Sequence, residues 1–259
     1  MMPASAVRPR VVAISQARMT STRLPGKVLL EAAGKPLLVH HLERLARSRG
    51  LDAVVLATTG NATDDPLVAC AAALGVPVFR GDEQDVLGRF AGAAAMAGAD
   101  IVVRVTADCP LIDPALVDAL VDAFLAGRGE VPPLDYRSID STRYPRGLDA
   151  EIFMRAALDE AAANALDPAE REHVTPYIYR RPDRFRLGPP LGPPPSPPGD
   201  GVEQRWCVDE PADFELVRRL LEALYPTNPA FGWRDCCELL RRNPDWVDIN
   251  RAIRQKTLH

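Results

Sequence analysis

The sequence is short of the features that mark several broad protein classes. Its five cysteines, at 70, 109, 207, 236 and 237, contain no C-x-x-C pair, and no histidine stands at zinc-ligand spacing. Neither a disulfide framework nor a structural zinc site is indicated, and a reducing, cytoplasmic setting is expected. No apolar stretch approaches the roughly 18 residues that a membrane span requires, and the opening MMPASAVRPR reads as too short and polar for a signal peptide. No membrane partner is therefore expected. Positive charge is not in excess either: 31 lysines and arginines face 35 aspartates and glutamates, a net charge of -4. That balance argues against a general affinity for nucleic-acid backbones, so any anion binding must be local.

What is present is an alternation of short β-branched runs with longer amphipathic or alanine-rich segments. VVAIS (11–15), AVVLATT (53–59), VPVFRG (76–81) and DIVVRVTAD (100–108) read as strands. Helices are expected over 35–48, 64–75, 85–98 and 114–126. This order predicts an α/β fold with an open, mostly parallel sheet and helices on both faces, whose ligands bind beyond the carboxyl ends of the strands. The second half differs in texture. Residues 134–153 read as strands and turns, 154–166 as a helix, and 170–180 as a polar helix that Pro176 interrupts. GPPLGPPPSPPGDG (188–201) predicts an exposed, polyproline-like loop. EQRWCVD (203–209) reads as a strand, 211–225 as a strongly amphipathic helix, and 233–253 as two short helices split at Asn243-Pro244. The expectation is one domain over 1–259 with a smaller lobe at about 130–200.

QARMTSTRLPGK (16–27) follows the first strand and gathers three cations, Arg18, Arg23 and Lys27, with hydroxyls and a Pro-Gly turn. Such a loop can aim backbone amides and cations at phosphate oxygens, although a solvated surface loop is the plainer reading. The phosphate-loop pattern G-x-x-x-x-G-K-[ST] is nearly met, but Ser21 replaces its first glycine and Val28 its hydroxyl residue. A metal would have to be held elsewhere. Arg104, among Val102, Val103 and Val105, needs a carboxylate or an anionic ligand if it is buried.

The run QARMTSTRLPGK resembles the A-R-x-x-S-x-R-L-P-G-K signature of the cytidylyltransferases that activate acidic sugars, the CMP-acylneuraminate and CMP-3-deoxy-manno-octulosonate synthetases. The likeness is nearer to the spore-coat-polysaccharide type. It extends over nearly the whole chain, through GKPLLVHHLERL, VVLATT, VFRGDEQDVLGRF, VVRVTADCPLIDP, YPRGLDAEIF, EREHVTPYI and RWCVDEPADFELV, in that order. Thr20 and Ala107 stand where that type has glycine, which would matter if either position required positive φ.

The resemblance implies a Rossmann-like fold of the nucleotide-diphospho-sugar transferase type. It also implies transfer of CMP from CTP to a hydroxyl-bearing acceptor, a sugar acid or sugar-like phosphate, with release of pyrophosphate. Mg²⁺ is the implied cofactor, with Asp108 and Asp209 as its ligands; helix capping is the competing reading of both. Arg18 and Lys27 are assigned to the triphosphate as catalytic cations. Gln16 and Ala17 correspond to positions that meet cytosine and ribose, Arg104 joins the nucleotide set, and Arg23 is open between phosphate and an acid partner. For the acceptor, Asp149 and Glu151 lie two apart and would share a face in an extended segment. His173, with Glu170 and Glu172, is a third candidate, against the alternative of an acidic helix start. His40 and His41 read as helix-face residues. A homodimer through 134–180 is expected by analogy. The alternatives are a nucleotide-sugar-dependent glycosyltransferase and a catalytically silent nucleotide-binding homologue.

Overall fold

The computed structural model describes residues 8–129, 131–192 and 204–254. Its main sheet has six strands in the order β5-β4-β1-β6-β8-β7. β1 (Val11–Gln16), β4 (Ala53–Thr59), β5 (Val78–Gly81) and β6 (Ile101–Thr106) run parallel. β7 (Tyr136–Ser138) and β8 (Glu151–Met154) extend the sheet antiparallel beyond β6. A small hairpin, β2 (Glu31–Ala32) with β3 (Lys35–Pro36), stands apart. Its turn residues Ala33 and Gly34 both have positive φ, as a tight two-residue hairpin demands.

The helices cover both faces. They are α1 (Leu37–Leu45), α2 (Asp65–Ala73), α3 (Val86–Met96), α4 (Pro114–Gly127), α5 (Arg155–Asn164), α6 (Pro168–His173), α7 (Pro176–Tyr179), α8 (Pro211–Leu224) and α9 (Trp233–Arg242). Alternate residues of β1 feed opposite cores, as the pleat requires. Val11 and Ala13 pack with α4 and α8, whereas Val12 and Ile14 pack with α3 and α5. Because β1 is buried on both faces it reads as a continuous apolar run.

Two expectations need correction. The first helix begins at Leu37 rather than at 35, because Lys35 and Pro36 pair with β2. Residues 204–209 form no strand. Arg205 makes one isolated bridge to Arg146, and Val208 donates to Asp108 O, so the segment is held by two different loops and has no continuous partner. Of the proline-rich stretch 188–201, residues 193–201 lie outside the described residues. Its start runs beside β7, with Gly188 N on Tyr136 O and Leu191 N on Ser138 O.

The sheet order creates the place where a ligand can sit. After β1 the chain lays β4 and β5 on one side and then crosses to place β6 on the other. The strand order therefore reverses between β1 and β6, which opens a crevice at their carboxyl ends.

Candidate active site

The loop that leaves β1 folds back on itself at that crevice. Gly26 adopts φ 68° and donates its amide to Met19 O at 3.1 Å, and Met19 N is anchored on buried Asp64 at 2.8 Å. The Pro-Gly turn is thus a positive-φ corner, which glycine supplies without a Cβ clash. It delivers Lys27 into the crevice, where the ammonium donates to Asp108 Oδ2 at 2.7 Å and to Asp209 Oδ1 at 2.8 Å. Burial works against the charge on Lys27, and the two carboxylates outweigh it, so its pKa is raised. Burial likewise pushes Asp209 up, but Lys27, Arg23 and Arg205 hold it below its ordinary value. Arg23 Nη2 lies 2.8 Å from Asp209 Oδ1.

The helix-capping alternative for the two acids is answered by their neighbours. Asp113 caps α4, accepting from Ala115 N at 2.9 Å, and Glu210 is the residue that precedes α8. Asp108 and Asp209 are thereby left facing Lys27. Two carboxylates converging on one cation are the donor set that Mg²⁺ accepts, since it completes its shell with water and phosphate oxygens. Among the described residues no group of three or more His, Cys, Asp or Glu could hold a metal without such help.

One cavity of about 1250 Å³ is lined by Gln16, Ala17, Arg18, Arg23, Lys27, Arg104, Asp108, Asp149, Glu151, His173 and Asp209, all proposed from the sequence. Gln16 Oε1 is a buried acceptor with no hydrogen-bond partner among the described residues. Ala17 N is engaged by Ala57 O, so a backbone contact to a ligand falls to its carbonyl. Arg104 does meet a carboxylate: Glu151, opposite it in the antiparallel register, lies at 2.5 Å. Glu151 also accepts from Tyr136 Oη at 2.6 Å and Thr175 Oγ1 at 2.7 Å. Asp149 precedes β8 and takes a different set, Arg146 Nη1 at 2.7 Å and Gly147 N at 2.8 Å. Gly147 has φ 103°, and a Cβ there would sit 2.6 Å from both Cys207 N and the Trp206 carbonyl carbon. His173 ends α6, with its pKa lowered by burial. Glu170 does not line the cavity and pairs instead with Arg181 at 2.6 Å.

Neither Thr20 nor Ala107 is among the described non-glycine residues with positive φ, which are Ala33 and Val174. The two departures from glycine therefore impose no strain of that kind. Thr20 instead donates to Glu83 at 2.5 Å, and Glu83 also takes Asn61 at 2.7 Å and lies 3.7 Å from Arg18. The acid-rich turn 82–85 is absent from the sequence-based candidates, although it follows β5 directly and obeys the same strand-end rule as Asp108. His41, expected on a helix face, is fully buried, with Nδ1 on Cys109 O at 2.9 Å and Nε2 on Ser15 Oγ at 2.9 Å. Burial lowers its pKa to about 4. A neutral ring donating from Nδ1 and accepting at Nε2 satisfies both contacts, and so ties the end of β1 to the Asp108 turn.

Comparison with known proteins places this cavity in context. A family model described as Cytidylyltransferase matches residues 12–226. An uncharacterised protein of Methanocaldococcus jannaschii is 37% identical over 248 residues, 96% of this chain and 97% of that one. The spore coat polysaccharide biosynthesis protein SpsF of Bacillus subtilis is 32% identical over 240 residues, 91% of this chain and 95% of its own. Among solved structures, a cytidylyltransferase from Leptospira borgpetersenii superposes with a TM-score of 0.83 at 32% identity, covering 97% of this chain and 100% of that chain.

Proposed function

The chain belongs to the cytidylyltransferase family of CTP-dependent nucleotidyltransferases, and on that premise we propose that it transfers CMP from CTP to a hydroxyl of a sugar acid or sugar-like phosphate. The observation that carries this reading is the meeting of Lys27 with Asp108 and Asp209 at the β1/β6 crevice. The acceptor oxygen attacks the α-phosphorus in line, the new P–O bond forms as the bond to pyrophosphate breaks, and the proton of the acceptor hydroxyl passes to solvent water. What such a reaction asks of the protein is positioning and cationic charge around the phosphates.

Lys27, Arg18 and Arg23 supply that charge, with Lys27 exchanging its carboxylate contacts for oxygens of the leaving pyrophosphate. Asp108 and Asp209 would hold Mg²⁺, which when bound adds Lewis-acid charge at the phosphate oxygens. Gln16 offers its unmet acceptor to the nucleoside. Arg104 and Glu151 form the wall against which the acceptor lies, and Asp149 and His173 present an acid and a neutral imidazole to acceptor hydroxyls. The segment 130–200 of a single domain supplies this acceptor side and, by analogy, a dimer surface; a monomeric mass in solution would reject the dimer. SpsF is named for polysaccharide biosynthesis, and that setting suits an acceptor destined for a glycan.

Pyrophosphate release with each of the four nucleoside triphosphates, against sugar acids, sugar phosphates and polyol phosphates, tests the reading. Turnover with CTP alone, on one acceptor class, is expected. CTP binding without turnover across the panel, or sugar transfer from a nucleotide sugar, would overturn it. A glycosyltransferase has no use for three cations in the first loop, which sets that alternative behind.

A further inference from the structure

Asp209 faces Lys27 with one carboxylate oxygen and is held by the other. Its second oxygen, Oδ2, is held by Arg205 Nη2 at 2.5 Å, which turns Oδ1 toward Lys27 and Arg23. Arg205 is itself fixed, with Nε 3.1 Å from Asp213 Oδ1. Asp213 is fully buried, and its other oxygen accepts from Asp209 N and Glu210 N, each at 3.1 Å. The turn that carries Asp209 is therefore wrapped around one buried carboxylate.

A residue far along the chain closes this arrangement. Asn250, 4% exposed, donates its side-chain amide to Asp213 Oδ1 at 2.9 Å and to Arg205 O at 2.8 Å. Both contacts are acceptors, so the amide orientation is fixed: the reversed group would set an oxygen against two oxygens. The chain arrives there through the break at Asn243-Pro244, where the short 3-10 helix Pro244–Asp248 turns it back, and Trp246 and Ile249 pack on the main core. Asn250 lies beyond the span matched by the family model, which ends at residue 226.

We propose that Asn250 is a positioning residue for the active site, acting through Asp213 and Arg205 to set the carboxylate of Asp209. The segment after α9 thereby completes the site rather than merely covering the core. This inference rests on the reading of Asp209 as a metal-side acid. Groups that orient a metal ligand typically alter metal affinity by 10–100-fold when removed.

The test is Mn²⁺ titration followed by electron paramagnetic resonance, with CTP present and acceptor omitted, alongside the melting temperature. The proteins compared are the wild type, Asn250→Ala, the isosteric Asn250→Asp, Asp209→Asn, the double variant Asn250→Ala/Asp209→Asn, and Ile249→Ala as a packing control. Asn250→Ala should weaken Mn²⁺ binding about tenfold, and Asn250→Asp at least as much, because it sets an acceptor against Asp213. Ile249→Ala should lower the melting temperature with unchanged Mn²⁺ affinity. In the Asp209→Asn background, Asn250→Ala should add nothing, since the two act as one unit. Asn250 variants no weaker than Ile249→Ala, or effects that add in full, overturn the inference while the Asp209 reading stands. Unchanged Mn²⁺ binding in Asp209→Asn removes that reading, and the inference with it.

Discussion

The two ends of the cleft handle charge differently. At the β1/β6 end the charges are shared: Lys27 serves Asp108 and Asp209, and Asp209 serves Lys27, Arg23 and Arg205. At the β8 end they are paired off, Arg104 with Glu151 and Arg146 with Asp149. A shared arrangement can exchange partners when a polyanion arrives, because Asp209 keeps Arg23 and Arg205 when Lys27 turns away. A closed pair resists exchange and offers instead fixed donors and acceptors for hydroxyls. On the proposed reading, the shared end suits a triphosphate and the paired end a polyol.

The largest test of that contrast is Lys27→Ala. It leaves two acids facing each other without their common cation, and the rate of pyrophosphate release should fall about 10³-fold, the scale seen when fixed charge is removed from a reacting centre. An equal fall in Arg104→Ala would erase the distinction between the ends. A smaller effect is expected from Glu151→Gln, which removes the charge facing Arg104 and leaves one acceptor oxygen where Arg104, Tyr136 and Thr175 share two. The KM for acceptor should rise about tenfold, the equivalent of about 1.4 kcal/mol, with the KM for CTP unchanged; steady-state kinetics with each substrate varied in turn would show a joint rise if the ends were not separate.

The smallest effect concerns pH. The folded-state pKa of Asp209 is depressed, so its contribution to stability is whole above the ordinary carboxylate range and is lost only as pH falls through the folded value. That of Lys27 is raised, so its contribution is whole below 10.5 and is lost only as pH rises through the folded value. The difference in melting temperature between wild type and Asp209→Asn should therefore be constant between about pH 5 and pH 9 and shrink below about pH 4. A difference that varied through neutrality would show that the shared cluster titrates there.

Much of the molecule is legible in the sequence where local pattern carries the signal. The parallel strands and their crossover helices follow from apolar runs and caps, and Asp108 falls at a strand end as the alternation predicts. The basic loop is legible because three cations crowd into twelve residues. Asp209 is marked by its block, but its strand is not there, because residues 204–209 pair with two loops and so have no period to read. His41 shows the limit of a helix-face reading: spacing gives the face, and only packing tells that the face looks onto Ser15 and Cys109 O. Glu83 follows a strand end and Asp213 sits in the first turn of α8, positions that many residues share, and Asn250 carries no local signal. The contacts that bring them into the site join distant parts of the chain, Thr20 to Glu83 and Asn250 to Asp213, and no local spacing encodes those.

Gly147 joins the two ends that the charges set apart. With no side chain, it lets the Arg146–Asp149 turn press against the Trp206–Cys207 backbone, where Arg146 O accepts from Trp206 N at 2.7 Å. The turn that bears Asp149 and the stem that bears Asp209 are consequently a single weld. A methyl group at that joint would act as a wedge, and would push the turn of Asp149 away from the stem of Asp209.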